Sequence, residues 1–173
     1  MKKAIVAGAL ALVVGGVSIA HADQLQGVYA GGGLGYNSFG SGWDDAVGFQ
    51  VFGGYQLDEL VGDMGDLSLA VEIGYMNSGD FEREYCLNGW MGYTECYSVE
   101  FDAKGIWSTA VVSYPVAQDV DLLGRLGLDF GDDDGLMFGA GVGYSVTNEI
   151  QLRGEYVIRD NIDSLQANLA YFF

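Results

Sequence analysis

The chain has 173 residues, half of them hydrophobic, with 28 Gly, one Pro, two Cys and a single His. Twenty-four acidic residues stand against seven basic ones, a net charge of −17. That balance excludes binding to a phosphate backbone, which needs clustered Lys and Arg, so no nucleic-acid partner is expected.

Residues 1–22 open with Lys2 and Lys3, continue with an apolar run from Ala4 to Val14, and end in Ala20-His21-Ala22. This is the layout of a secretory signal peptide, with cleavage after Ala22 and a mature domain over 23–173. All 24 acidic residues but only five of the seven basic ones lie beyond residue 22, so the mature part carries −19. No later stretch is long and apolar enough for a spanning helix, and a membrane protein made from this chain must cross with strands.

From residue 27 the apolar residues recur every second position between clusters of Gly, Asp, Asn and Ser, which is the strand period. Eight such runs follow in order. The first, Val28 to Asn37, sets Val28, Ala30, Leu34 and Tyr36 against Tyr29, Gly31, Gly33 and Gly35. The second sets Val47, Phe49, Val51, Tyr55 and Leu57 against Gly48, Gln50, Gly54 and Gln56. In the third, Leu67, Leu69, Val71, Ile73 and Tyr75 oppose Ser68, Ala70, Glu72 and Gly74.

The fourth run, Ser98 to Tyr114, is less regular. Its better apolar face is Phe101, Ala103, Gly105, Trp107, Thr109 and Val111, leaving Glu100, Asp102, Lys104 and Ser108 opposite, and Pro115 is expected to end it. The fifth opposes Val120, Leu122, Leu126, Leu128 and Phe130 to Asp121, Arg125, Gly127 and Asp129. The sixth opposes Phe138, Ala140, Val142 and Tyr144 to three glycines and Ser145. The seventh alternates Ile150, Leu152, Tyr156 and Ile158 with Gln151, Arg153, Glu155 and Arg159. The eighth alternates Leu165, Ala167, Leu169, Tyr171 and Phe173 with Gln166, Asn168, Ala170 and Phe172.

One face of these runs is apolar and the other small or polar, the reverse of a soluble barrel. The pattern predicts an all-β fold, an eight-stranded antiparallel up-and-down transmembrane β-barrel, whose closure leaves no unpaired edge in lipid. With both termini periplasmic, the outer loops fall at about 38–46, 79–97, 131–135 and 160–163, and the inner turns at about 58–66, 115–119 and 147–149.

The start VYAGGGLGYN and the last third of the chain carry a resemblance. Gly141-Val142-Gly143-Tyr144, Thr147-Asn148-Glu149, Leu152-Arg153-Gly154-Glu155-Tyr156 and the terminal Phe173 are similar to the eight-stranded outer-membrane barrel superfamily. That superfamily includes the transmembrane domain of outer-membrane protein A and the opacity-type proteins. The resemblance implies the outer membrane of a Gram-negative bacterium, reached through the periplasm, with lipid and lipopolysaccharide around the barrel. It also implies that the alternating C-terminal strand, here Leu169, Tyr171 and Phe173, is read by the barrel-assembly machinery.

The strand faces put Glu72, Lys104, Arg125, Arg153 and Glu155 in the lumen. A buried charge without a partner costs several kcal/mol, so Glu72, Glu155, Arg125 and Arg153 are expected to form a plugging network with Lys104 near it. Cys86 and Cys96 lie in the longest outer loop of an exported chain and are expected to form a disulfide. Without a histidine they make a poor zinc site, and the motif is not the C-x-x-C of a reactive pair. The same loop holds Tyr85, Trp90, Met91 and Tyr93, an aromatic load that marks an interaction surface for an unidentified ligand or a strand extension packing on itself.

Asp44, Asp45, Asp132, Asp133, Asp134, Asp160 and Asp163 read as solvated loop charge, and Gly131 to Gly135 as a turn. The only histidine lies in the signal segment, so a histidine general base is absent from the mature part and neither enzymatic activity nor a cofactor is expected. Two roles remain: envelope integrity or surface interaction through the outer loops, and a narrow passive pore.

Overall fold

The computed structural model describes residues 26–40, 42–57, 65–88 and 94–173. Residues 1–22, expected as a signal peptide, and Trp90, Met91 and Tyr93 lie outside the described residues. Eight strands follow one another: β1 Val28–Ser38, β2 Ala46–Gln56, β3 Ser68–Asn88, β4 Thr94–Ala117, β5 Val120–Gly131, β6 Gly135–Ser145, β7 Ile150–Ile158 and β8 Asp163–Phe172. Each pairs antiparallel with the next, and β1 pairs with β8, closing the sheet into a barrel. The short connectors Gln118–Asp119 and Val146–Glu149 sit at the end that also holds the N-terminus of β1.

The outer surface is apolar. Leu34, Val47, Leu126, Leu136, Leu165 and Leu169 are exposed on it, while Tyr36, Tyr55, Tyr144, Tyr156 and Tyr171 lie towards strand ends. In water such a surface would be unstable, and in a bilayer it is the lipid-facing band with its aromatic girdles. The inward residues are mostly small or polar, and side chains fill most of the space that eight strands enclose.

Several large rings do enter the lumen, and glycines on neighbouring strands make space for them. A Cβ on Gly54 would come within 2.1 Å of the Tyr29 ring, and one on Gly74 within 2.5 Å of Trp107. These rings are fully buried with Phe52 and form the apolar part of the interior.

The fourth strand corrects the sequence reading. Ala103, Trp107, Thr109 and Val111 point inward and are buried, whereas Lys104, Ile106, Ser108 and Val112 face outward. The set taken for its lipid face is therefore the lumenal one, because a shift of one residue exchanges the faces of a whole strand. Both sets are apolar enough for either side, and the space over Gly74 decides for Trp107. Lys104 is consequently not lumenal: its side chain is 48% exposed and pairs with Asp102. Pro115 does not end β4, which continues to Ala117 across a register irregularity between Pro115 and Ala117.

The segment expected as a loop at 79–97 is mostly strand. β3 continues to Asn88 and β4 begins at Thr94, with pairs from Asp80↔Asp102 to Asn88↔Thr94. A register irregularity between Asn77 and Asp80, with Gly79 at φ +78°, sets the base of this extension. Such a positive φ is cheap only for glycine. β2 pairs with β3 as far as Asn77 and β5 pairs with β4 as far as Gly105. Beyond those points the two strands form a two-stranded ribbon of nine residues each, ~30 Å long at the rise of a strand.

Candidate functional site

Two regions carry the polar and aromatic groups that the sequence singles out, the lumen and the ribbon. In the lumen, Glu72 comes from β3, Arg125 from β5, and Arg153 and Glu155 from β7. The barrel brings these four together. Arg153 Nη1 lies 2.6 Å from Glu72 Oε1, Arg125 Nη2 lies 2.6 Å from Glu155 Oε2, and the same Nη2 is 3.3 Å from Glu72 Oε2. All four side chains are buried.

Further donors reach Glu72 Oε1 and Glu155 Oε1, while among the described residues Glu72 Oε2 has only the 3.3 Å approach of Arg125. The Tyr29 hydroxyl donates to Glu72 at 2.7 Å, and Asn168 Nδ2 donates to Glu155 at 3.1 Å. Arg153 Nε donates to Gln151, whose own amide donates to Asp121. The guanidinium of Arg125 lies 5.5 Å from the Trp107 ring, and that of Arg153 lies 5.1 Å from Tyr29. Two carboxylates and two guanidiniums balance formally, and that balance is what permits four charges to stay buried.

A second lumenal pair stands nearer the outer end. Arg159 Nε donates to Asp129 Oδ2 at 2.8 Å and its Nη1 to Ser164, which donates onward to Asn37. Sequence reasoning put both residues on inward faces but did not join them. The spacing of Arg159 and Glu155 on one face of β7, four residues apart, was the available signal for a second charged layer.

The lumen is unequal at its two ends. A cavity of about 370 Å³ opens at the inner end, lined by Tyr29, Asp66, Ser113, Asp121, Gln151 and Arg153 among others, and reaches the ion network. At the outer end Ala46, Phe81, Ala103 and Ile162 form a second apolar cluster with Phe39 and Trp43 over it. Phe39 lies 5.6 Å from Phe81 and 5.5 Å from Phe101, so β1, the first outer loop and the ribbon base meet in an aromatic cap.

Above the cap the ribbon has two unlike faces. One carries Phe81, Arg83, Tyr85 and Leu87 of β3 with Val99 and Tyr97 of β4, and the Tyr85 and Tyr97 rings stack at 5.6 Å. The other carries Asp80, Glu82 and Glu84 with Asp102 and Glu100, and Cys86 opposite Cys96, which are joined by a disulfide. In the first outer loop, Asp45 accepts from the Tyr36 hydroxyl at 2.6 Å, and this bond holds its carboxyl below the usual carboxylate range. At the other end of the chain Leu169 and Tyr171 face outward, the Phe173 ring lies 5.2 Å from that of Tyr171, and Phe173 N donates to Val28 O.

A closed, lipid-coated, eight-stranded barrel with a polar, internally paired lumen defines an integral outer-membrane barrel. The chain belongs to the outer membrane protein β-barrel domain family, whose pattern it matches over residues 7–172. It is 30% identical over 189 aligned residues to outer membrane protein A of Escherichia coli O157:H7, covering 94% of this chain and 49% of that protein. Outer membrane protein A of Yersinia pseudotuberculosis is 32% identical over 139 residues, covering 73% of this chain and 34% of that protein. The chain thus spans about half the length of the first of these relatives. Among solved structures, the neisserial surface protein A crystal structure superposes with a TM-score of 0.52 at 19% identity, covering 86% of this chain and 98% of that one. That likeness concerns the fold.

Proposed function

We propose that this outer-membrane barrel is a non-enzymatic protein of envelope integrity or surface interaction, with the β3–β4 ribbon as its contact element. The observation that carries the reading is the ribbon itself. It extends past the last residues of β2 and β5 that pair with it, is stapled by Cys86–Cys96, and presents Tyr85, Leu87, Tyr97 and Val99 to solvent above a lumen that holds paired charges. Exposed apolar groups gathered on one element mark a contact surface more often than a neutral one. Cells displaying the protein with residues 85–97 replaced by a short Gly-Ser turn should lose adherence, at equal surface level, relative to the native chain. Unchanged adherence would overturn the role given to the ribbon.

On this reading residues 1–22 are the cleaved signal, and Leu169, Tyr171 and Phe173 are the signal for the assembly machinery. The Glu72, Arg125, Arg153 and Glu155 network acts as a plug. The alternative, a narrow passive pore, is favoured by one feature, the cavity that penetrates from the inner end as far as Arg153. Slow leakage of small solutes from liposomes holding the protein would support the pore, and tight liposomes the plug.

A further inference from the structure

The β4 edge of the ribbon is an unfinished sheet. Below Gly105, β4 is paired on both sides, but above it the last contacts on the β5 side are Asp132 N to Lys104 O and Lys104 N to Asp132 Oδ2. Among the described residues, the backbone from Cys96 to Asp102 finds partners only in β3. The opposite edge is better covered, since Asp44 N donates to Glu82 O at 2.8 Å and Arg83 lies 5.9 Å from the Trp43 ring. Seven residues of open edge are ~23 Å, the length of an ordinary strand, and unpaired N–H and C=O groups are a template for one more.

Charge selects the occupant. Asp80 stands directly opposite Asp102, and Glu82 directly opposite Glu100. Like charges facing one another across a sheet are destabilising; Arg83 lies on the opposite face, and Lys104, on the same face, is already held by Asp102. A second copy of this chain pairing at the same edge would add Glu100 and Asp102 again to that face. A strand carrying Lys or Arg at every second residue would relieve the repulsion instead, while its intervening residues would meet Tyr97 and Val99, both exposed on the opposite face.

We propose that the free edge of β4 between Cys96 and Asp102 accepts an added strand from a basic polypeptide whose Lys or Arg residues alternate with apolar ones. The proposal rests on the surface reading above and names the partner class. Main-chain bonds would supply adhesion and the side-chain alternation would supply selectivity, the division found wherever a peptide extends a sheet.

The test uses the full barrel in nanodiscs of zwitterionic phosphatidylcholine and a fluorescent ten-residue peptide of alternating Lys and Val. Anisotropy should report binding that weakens steeply with salt, as for exposed charges. Hydrogen exchange should slow at least tenfold at alternate amides between Cys96 and Asp102. Glu100→Gln with Asp102→Asn should weaken binding at least tenfold, whereas Asp134→Asn with Asp160→Asn should not change it.

A peptide N-methylated at every residue keeps each charge but loses each backbone donor, and it should not bind. If it bound equally well, or if an alternating Glu and Val peptide did, strand addition by a basic segment would be overturned. Absence of protection on β4, with adherence still lost on replacing 85–97, would overturn this inference and leave the surface reading standing. Absence of both effects would overturn both.

Discussion

β3 and β4 build two regions from the same pair of strands, and the regions treat charge in opposite ways. Within the barrel, Glu72 on β3 is enclosed and meets Arg125, Arg153 and the Tyr29 hydroxyl. In the ribbon, Asp80, Glu82 and Glu84 of the same β3 face solvent, and the first two stand opposite Asp102 and Glu100. Apolar groups follow the same inversion: Trp107 of β4 is buried, while Tyr97 and Val99 are exposed. The lumen pairs its ions with one another, whereas the ribbon leaves charge and aromatic surface open, as the proposed contact role requires.

The largest effect should come from breaking the lumenal side of this comparison. Arg153→Ala leaves the buried Glu72 carboxylate with fewer partners and should destabilise the folded barrel by about 3–5 kcal/mol, read from urea unfolding in detergent. Removing the disulfide should instead act on the ribbon alone. Closing a loop of this length is worth about 2–4 kcal/mol. Cys86→Ser with Cys96→Ser should hasten proteolysis between residues 82 and 100, with the urea midpoint of the barrel unmoved. A matching fall in that midpoint would show that ribbon and barrel form one cooperative unit.

Lys104→Ala offers the contrast to Arg153→Ala. Its side chain is half exposed on the outward face, so the change should leave the urea midpoint unmoved. A cost like that of Arg153→Ala would mean that Lys104 is lumenal after all. The smallest effect concerns Asp45. Its folded pKa lies below its unfolded one, so its contribution is present above the ordinary carboxylate range and fades as pH falls through the folded value. Tyr36→Phe should raise the Asp45 midpoint towards the ordinary value in an NMR titration, and an unmoved midpoint would remove the Tyr36 hydroxyl as the cause.

The barrel was legible wherever one face of a run was large and apolar and the other polar, as in Ile150 to Arg159, where Gln151, Arg153 and Glu155 declare the inside. It was not legible in β4, where Ile106, Ala110 and Val112 compete with Trp107, Thr109 and Val111 on nearly equal terms. There the choice depends on Gly74 of another strand, which run-by-run reading does not weigh. Because one residue of shift exchanges the two faces, that ambiguity carried Lys104 to the wrong side of the wall.

The ribbon was read only as one of two alternatives, a strand extension beside a loop surface, for a different reason. Phe81, Arg83, Tyr85 and Leu87 alternate with Glu82, Glu84 and Cys86, but a membrane strand needs only about 9–11 residues, and the excess was assigned to a loop. The members of the ion network followed from their faces. Their pairing did not, because the stagger of tilted strands sets which Glu meets which Arg.

A lumen closed by its paired charges passes no steady current, and single-channel recording across a planar bilayer measures that directly. The native protein should show no steady conductance, with brief openings appearing only when Arg153 is replaced by Ala. A steady native conductance that Arg153→Ala abolishes would contradict the plug and make the barrel a pore.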